Sequence, residues 1–299
     1  MGLPTAMLKT VEGTTAYDWG RSSGLNWQAK KTKLHYFDEA GLGRESGKVS
    51  LIRDDTGMEL GVVSPQYQIV QPQDILEGFE SAVSNMGSDF KMDGIGVFGD
   101  GKVIWGRASS ERSMNIAGHS LETYLYMLTS FDGSVSTMGF ASTLRHVCCN
   151  AFHLGSQKRG ESLFKLSHRS KYAGHAQKGL DQFMNQVDEF EQAGTRMSEI
   201  LIKPQNVLPT MMKAIGQEKP VNDLTSREKS SLEKYLKAVV NSPGSTADRE
   251  GASVWDVFNG ITYTVDNDPI RKTKGHEQSA FMGAGDKLKA KAFSYLSLV

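Results

Sequence analysis

Between positions 145 and 153 the chain reads Arg145-His146-Val147-Cys148-Cys149-Asn150-Ala151-Phe152-His153, which sets thiols, imidazoles, an amide and a guanidinium side by side. Thiols and imidazoles are the common ligands of zinc, and a thiol beside an imidazole is the beginning of an activated nucleophile. If the stretch is helical, Cys149 and His153 stand about one turn apart and could face one ion. A closed site needs two further ligands, for which His168 and His175 are the nearby candidates. Adjacent cysteines on a helix diverge by about 100°, so Cys148 and Cys149 are poorly placed to share an ion. The distant partners of a papain-type cysteine carry no signature here. The reading that remains is structural, with Cys148 a small buried thiol and Asn150 a partner for backbone groups. Glycines 94, 96, 99 and 101 could let backbone N–H groups approach a phosphate, but no helix-opening glycine turn and no Gly-Lys-Ser/Thr follows, so the run reads as a hairpin. No His-Glu-x-x-His pattern occurs. The expectation is no catalytic residue, no metal and no cofactor.

Cations are more telling than nucleophiles. Residues 133–180 carry 7 basic side chains against Glu161 alone, a net +6. Arg145, Lys158, Arg159, Lys165, Arg169 and Lys171 are expected to contact a phosphate backbone, because each contact releases counterions and adds affinity. Phe152 and Tyr172 are expected to lie against bases, with Phe164 also interleaved. The alternative for the block is a solvated face that balances the acidic segment 181–268, and the alternative for the aromatics is burial in a core. A second group, Arg271, Lys272, Lys274 and His276 with Lys287, Lys289 and Lys291, would extend such a surface if the tail folds back beside the first.

The elements that must position these residues can be read from periodicity. Residues 1–48 show little of it and are expected to form an irregular N-terminal arm. Two β-like runs, 49–54 and 58–63, flank an Asp55-Thr56-Gly57 turn, and Pro72 with Ile75, Leu76, Phe79, Val83 and Met86 predicts a helix closed by Gly87. Hairpins follow over 95–107 and 121–140, and both faces of 121–128 are apolar, which predicts a central strand covered on both sides. Residues 143–154 read as a helix between a Ser/Thr cap and Gly155. Further helices are expected from about 172 to 202, from the Thr225-Ser226-Arg227-Glu228 capping box to Val240, and finally over 254–265. The fold class is thus α+β, antiparallel hairpins packed with a helix in a β-β-β-α-like core, followed by a mainly helical half. Three regions are expected: the arm 1–48, a sheet-rich core with the basic segment over 49–180, and a helical region with a basic tail over 181–299.

The chain has 299 residues, 38% hydrophobic and 23% charged, which excludes whole-chain disorder and leaves room for a large core. No apolar run is long enough to span a bilayer, no secretory leader pattern opens the chain, and its two cysteines are adjacent, so a cytoplasmic location without membrane contact is expected. Lys and Arg balance Asp and Glu at 34 each, but in blocks: net −5 over 1–132, +6 over 133–180, −5 over 181–268 and +4 over 269–299.

Four motifs add a resemblance: Gly61-Val62-Val63-Ser64-Pro65-Gln66-Tyr67-Gln68, Ser130-Phe131-Asp132-Gly133, Thr143-Leu144-Arg145-His146-Val147-Cys148-Cys149-Asn150, and Trp255-Asp256-Val257-Phe258-Asn259-Gly260-Ile261-Thr262. In this order they resemble the phage- and plasmid-borne family called domain of unknown function 932, over roughly residues 60–265. His146 and Ala151-Phe152 depart from its pattern. The resemblance implies a mobile-element origin and no established activity. The order of hairpins, helix and basic stretch is also similar in topology to single-strand annealing proteins of the Red-beta type. That likeness implies rings or filaments holding single-stranded DNA by its backbone, which needs cations and no catalytic group. Opposite-sign blocks on neighbouring protomers suit such assembly. The expected function is therefore a phage- or plasmid-encoded single-stranded DNA-binding protein that anneals strands as a homo-oligomer. The rival expectation is an anti-defence interaction protein, whose acidic blocks bind and block a host complex.

Overall fold

Gly57 takes a φ of 69°, as the Asp55-Thr56-Gly57 turn requires, and brings β2 (Gly43–Arg53) back along β3 (Glu59–Val63). The computed structural model describes residues 16–145, 150–154, 163–166, 176–267 and 276–299. β2 also pairs antiparallel with β1 (Ala29–Phe37), making a three-stranded sheet preceded by the short helix α1 (Ala16–Ser22). The segment expected to be an irregular arm therefore carries a helix and two strands over its described part. Its polar alternation hid them: most of β1 is solvent-exposed on both faces, so no apolar stripe marks it.

Helix α2 (Pro72–Asn85) begins on Pro72, whose missing N–H is harmless in a first turn, and ends where Gly87 adopts a φ of 107°. Its buried face of Ile75, Leu76, Phe79 and Val83 rests on the principal sheet. That sheet is an antiparallel meander of β4 (Phe90–Phe98), β5 (Val103–Ile116), β6 (His119–Ser130) and β7 (Thr137–Arg145), extended by β8 (Asn150–His153) and β9 (Phe164–Leu166), both paired with β7. Along β6, Leu121, Leu125 and Met127 join the core under α2, whereas Tyr124, Tyr126 and Leu128 join a second cluster on the opposite face. It is the doubly covered central strand that its composition implies.

Residues 143–154 are the main departure. Where a helix is expected, β7 runs to Arg145 and β8 starts at Asn150, while 146–149, including both cysteines and His146, lie outside the described residues. Period two explains the outcome: Phe152 joins the core with the helices, and its neighbour His153 packs on the other face against Phe140 and Phe281. A short apolar run flanked by Thr and Gly is ambiguous between the two structures, and pairing with an already buried strand decides it.

After α3 (Ala176–Glu199) come β10 (Leu201–Ile202), α4 (Pro204–Ile215), α5 (Ser226–Asn241), β11 (Ala252–Ser253), α6 (Val254–Asn267), α7 (His276–Met282) and α8 (Ala284–Leu296). The capping box is in place, with the Glu228 N–H donating to Thr225 Oγ1 and the Thr225 N–H to Glu228 Oε2. Helix α6 is not the last, since α7 and α8 follow. Phe190 of α3, Phe258 of α6 and Phe293 of α8 close on Phe152, with ring centroids 5.3, 5.2 and 5.1 Å away, and join the helical half to the sheet.

Candidate nucleic-acid interface

The basic segment enters the described structure through the outer edge of the principal sheet. β8 runs along the end of β7, pairing Asn150 with Arg145 and His153 with Ser142. The Leu154 N–H then donates to the Ala141 carbonyl. The chain next meets this edge at Leu163, whose N–H donates to the Gly139 carbonyl, and β9 continues with Phe164 opposite Gly139 and Leu166 opposite Thr137. Ala141 and Gly139 are two residues apart on one strand, about 7 Å. β8 and β9 are therefore two pieces of one edge strand, and residues 155–162, which include Lys158 and Arg159, lie between them in sequence.

Lys165 stands on this edge, opposite Met138, whereas Arg145 ends β7 itself, paired with Leu121 on one side and Asn150 on the other. Measured along β7, Lys165's partner and Arg145 are seven residues apart, which at roughly 3.4 Å each is about 24 Å of strand. Lys158, Arg159, Arg169, Lys171 and Tyr172 fall outside the described residues. Phe152 does not serve as expected. It is buried in the aromatic group with Phe190, Phe258 and Phe293, and cannot reach a base without opening the core.

The second basic group is also thinned. Lys289 is 1% exposed, and its Nζ lies 2.9 Å from Asp266 Oδ1, so it pins α8 to α6. Lys287 and Lys291 remain exposed on α8, whereas 268–275 lie outside the described residues. Beside them, Asp286 lies with an oxygen 3.1 Å from His153 Nδ1. Burial opposes ionisation of Asp286, but His153, with help from Lys289 and Lys287, holds its carboxyl below the ordinary range.

On the same face lies a polar cluster that periodicity does not reveal. A register shift near Asp93 in β4 aims that carboxylate at Arg107 of β5, Oδ1 to Nε at 2.7 Å, and the guanidinium sits 4.8 Å over the Tyr124 ring. The Tyr124 hydroxyl donates to Glu122. Gly94 and Gly96 stand opposite Arg107 and Trp105, and a Cβ on Gly96 would fall 2.6 Å from the Trp105 ring. These glycines clear space for cross-strand side chains, which is why they do not cradle a phosphate. Burial raises the Asp93 carboxyl above its ordinary value despite Arg107. It also pushes the Tyr126 phenol up to about 12. The two tyrosines thus pack around an arginine that Asp93 pairs. Among the described residues no group of three or more His, Cys, Asp or Glu is placed to hold a metal ion.

The motif residues have structural roles as well. A Cβ on Gly61 would fall 2.7 Å from Asp132 Cα, so the first motif abuts the second, and Tyr67, half-buried nearby, is raised by burial and by the Asp132 charge. Asp256 accepts from the backbone and hydroxyl of both Thr246 and Ser253, tying the Thr246 loop and the end of β11 to the start of α6.

Among the described residues no helix is long and apolar enough to cross a membrane. The sequence profile of a family described as domain of unknown function (DUF932) matches residues 59–282. No curated protein matches the chain, and no solved structure does.

Proposed function

The chain belongs to the DUF932 family, and from that premise and the composition of its sheet edge we propose that it is a phage- or plasmid-encoded single-stranded DNA-binding protein. It acts in the host cytoplasm as an annealing oligomer. One observation carries the reading: the outermost strand of the principal sheet is drawn from the most basic segment of the chain, with Lys165 on it, Arg145 at the end of the neighbouring β7, and Lys158 and Arg159 between its two pieces in sequence. Basic positions at the two ends of about 24 Å of β7 would suit an extended phosphate backbone. The buried position of Phe152 shifts the weight of the reading from stacking to phosphate contact. Binding through phosphates leaves the bases free to pair.

The test is fluorescence anisotropy of a labelled oligothymidylate across a salt series. If about five phosphates are neutralised, log K falls with log salt at a slope of roughly −3.5. Charge reversal at Arg159 and Lys165 should weaken binding to every sequence alike and flatten the slope by about 0.7 per lost contact. A salt-independent affinity, or no binding at 50 mM salt, would refute the proposal.

A further inference from the structure

The C-terminal helices fold back onto the outer strand of the principal sheet. Phe152 and His153 are neighbours on β8 and point to opposite faces, and the α7–α8 pair grips both. On one face the ring centroids of Phe281 and His153 are 4.4 Å apart, and Asp286, in the first turn of α8, brings an oxygen to 3.1 Å from His153 Nδ1. On the other face Phe293 of α8 lies 5.1 Å from Phe152. Helix α8 is therefore seated around β8, held at two points.

That seat has a definite place along the edge. His153 is opposite Ser142, three residues from Arg145 and four from Met138, the partner of Lys165. At roughly 3.4 Å per residue, Asp286 meets the edge about 10 Å from one basic position and about 14 Å from the other. Lys287 follows Asp286 in sequence, is exposed, and is near enough for its charge to help hold the Asp286 carboxyl low. Lys291 is exposed one turn further along the same side of α8. The carboxylates around them face other partners: Asp286 lies against His153, and Asp266 holds Lys289 at 2.9 Å. Among the described residues neither Lys287 nor Lys291 forms an ion pair. Lys291 reaches over Gly216, with Glu218 two residues further on, so Lys287 is the less compensated of the two.

Exposed lysines elsewhere lack this placement. Lys91 stands on β4, the opposite edge of the sheet, and Lys229 and Lys237 belong to α5. Of the other helices that meet β8, α6 has no basic residue, and α3 sets five carboxylates against Lys178 and Arg196. We propose that Lys287 and Lys291 of α8 are part of the phosphate-binding surface, with Lys287 supplying a cation between the positions of Arg145 and Lys165 and Lys291 beside it. The inference rests on the single-stranded DNA reading and extends it, because a phosphate backbone that follows the edge meets α8 partway along.

Anisotropy of labelled oligothymidylate with the full chain, across a salt series, tests it. Lys287→Gln should flatten the slope of log K against log salt by about 0.7, and Lys287→Gln with Lys291→Gln by up to about 1.4, from roughly −3.5 in the wild type. Lys91→Gln removes the same charge from the opposite edge and should leave the slope at its wild-type value. The melting midpoint of each variant should stay within about 2 °C of wild type, because all three side chains are exposed. A wild-type slope in the double variant, or an equal flattening in Lys91→Gln, overturns the inference and leaves the DNA reading standing. So does a loss of affinity at unchanged slope, which would give the two lysines a structural role without phosphate contact. No binding by the wild type at 50 mM salt overturns both.

Discussion

Replacing Phe152 by alanine separates two uses of one ring. If the side chain is a core residue, as its 3% exposure and its contacts with Phe190, Phe258 and Phe293 require, truncation leaves a cavity between the sheet and three helices. Burying a phenyl ring and then removing it costs about 3–5 kcal/mol. Three ring contacts put this site in the upper part of that range, because aromatic pairs add about 0.5–1.5 kcal/mol beyond area. At roughly 2–3 °C per kcal/mol for a chain of this size, the melting midpoint should fall by about 8–12 °C. Well below that midpoint, oligonucleotide affinity should stay within a few fold of wild type.

If the ring stacked on a base, the pattern would invert. Loss of one stacking contact costs about 1–3 kcal/mol of binding, a factor of roughly 5–150, and leaves the melt unchanged. Thermal melts followed by circular dichroism, paired with anisotropy at 15 °C, read both quantities from one preparation. A midpoint within about 2 °C of wild type would refute the core assignment of β8 and, with it, the strand register on which the sheet edge is built.

Lys289→Met should destabilise the chain by about 3–5 kcal/mol, because it removes the ammonium that faces the buried Asp266 carboxylate, and the double change Asp266→Asn with Lys289→Met should recover most of that loss in urea titrations. Gly106→Ala places a Cβ 2.6 Å from the Phe79 ring that seats α2 on β5, and should cost about 1–3 kcal/mol in the same assay. Hydrogen bonds from the Thr225 backbone and hydroxyl, then from Lys219, hold the Glu228 carboxyl at about 2 against an ordinary 4.5. Its support of α5 is therefore complete above about pH 4.5 and is lost as pH falls toward about 2. Carbon-13 titration of that carboxyl should show the low midpoint, and Thr225→Ala should raise it.

The legible part of the fold was the part written in period and caps. β6 announced itself by apolar residues on both faces, α2 by Pro72 and its spacing, and α5 by the Thr225–Glu228 box. β1 was invisible because a hairpin that stands away from the core has no face to bury, so its lysines and aromatics read as irregular chain. Residues 143–154 misled because Thr, Gly and a short apolar run serve a helix cap and a strand end equally well. Lys289 misled differently. A lysine is read as surface by default, and only tertiary placement brings Asp266, more than twenty positions earlier, to its ammonium.

The same distinction bears on where function can lie. Gly61 marks a close approach to the Asp132 turn, and Asp256 is saturated by Thr246 and Ser253. These motif residues, which carry the family likeness, are occupied in packing, and a carboxylate with four donors has none of the freedom that a metal ligand or general base needs. The motifs thus identify a fold, and a fold does not specify an activity. What the described structure adds is placement: Lys165 lies on β9 at the sheet edge, and Lys287 and Lys291 are exposed on α8. On the proposed reading, the protein works by holding a charged polymer. A change at Lys165 should then alter the salt slope of DNA binding while leaving the melting midpoint near that of wild type, and a slope equal to wild type would remove Lys165 from the proposed interface.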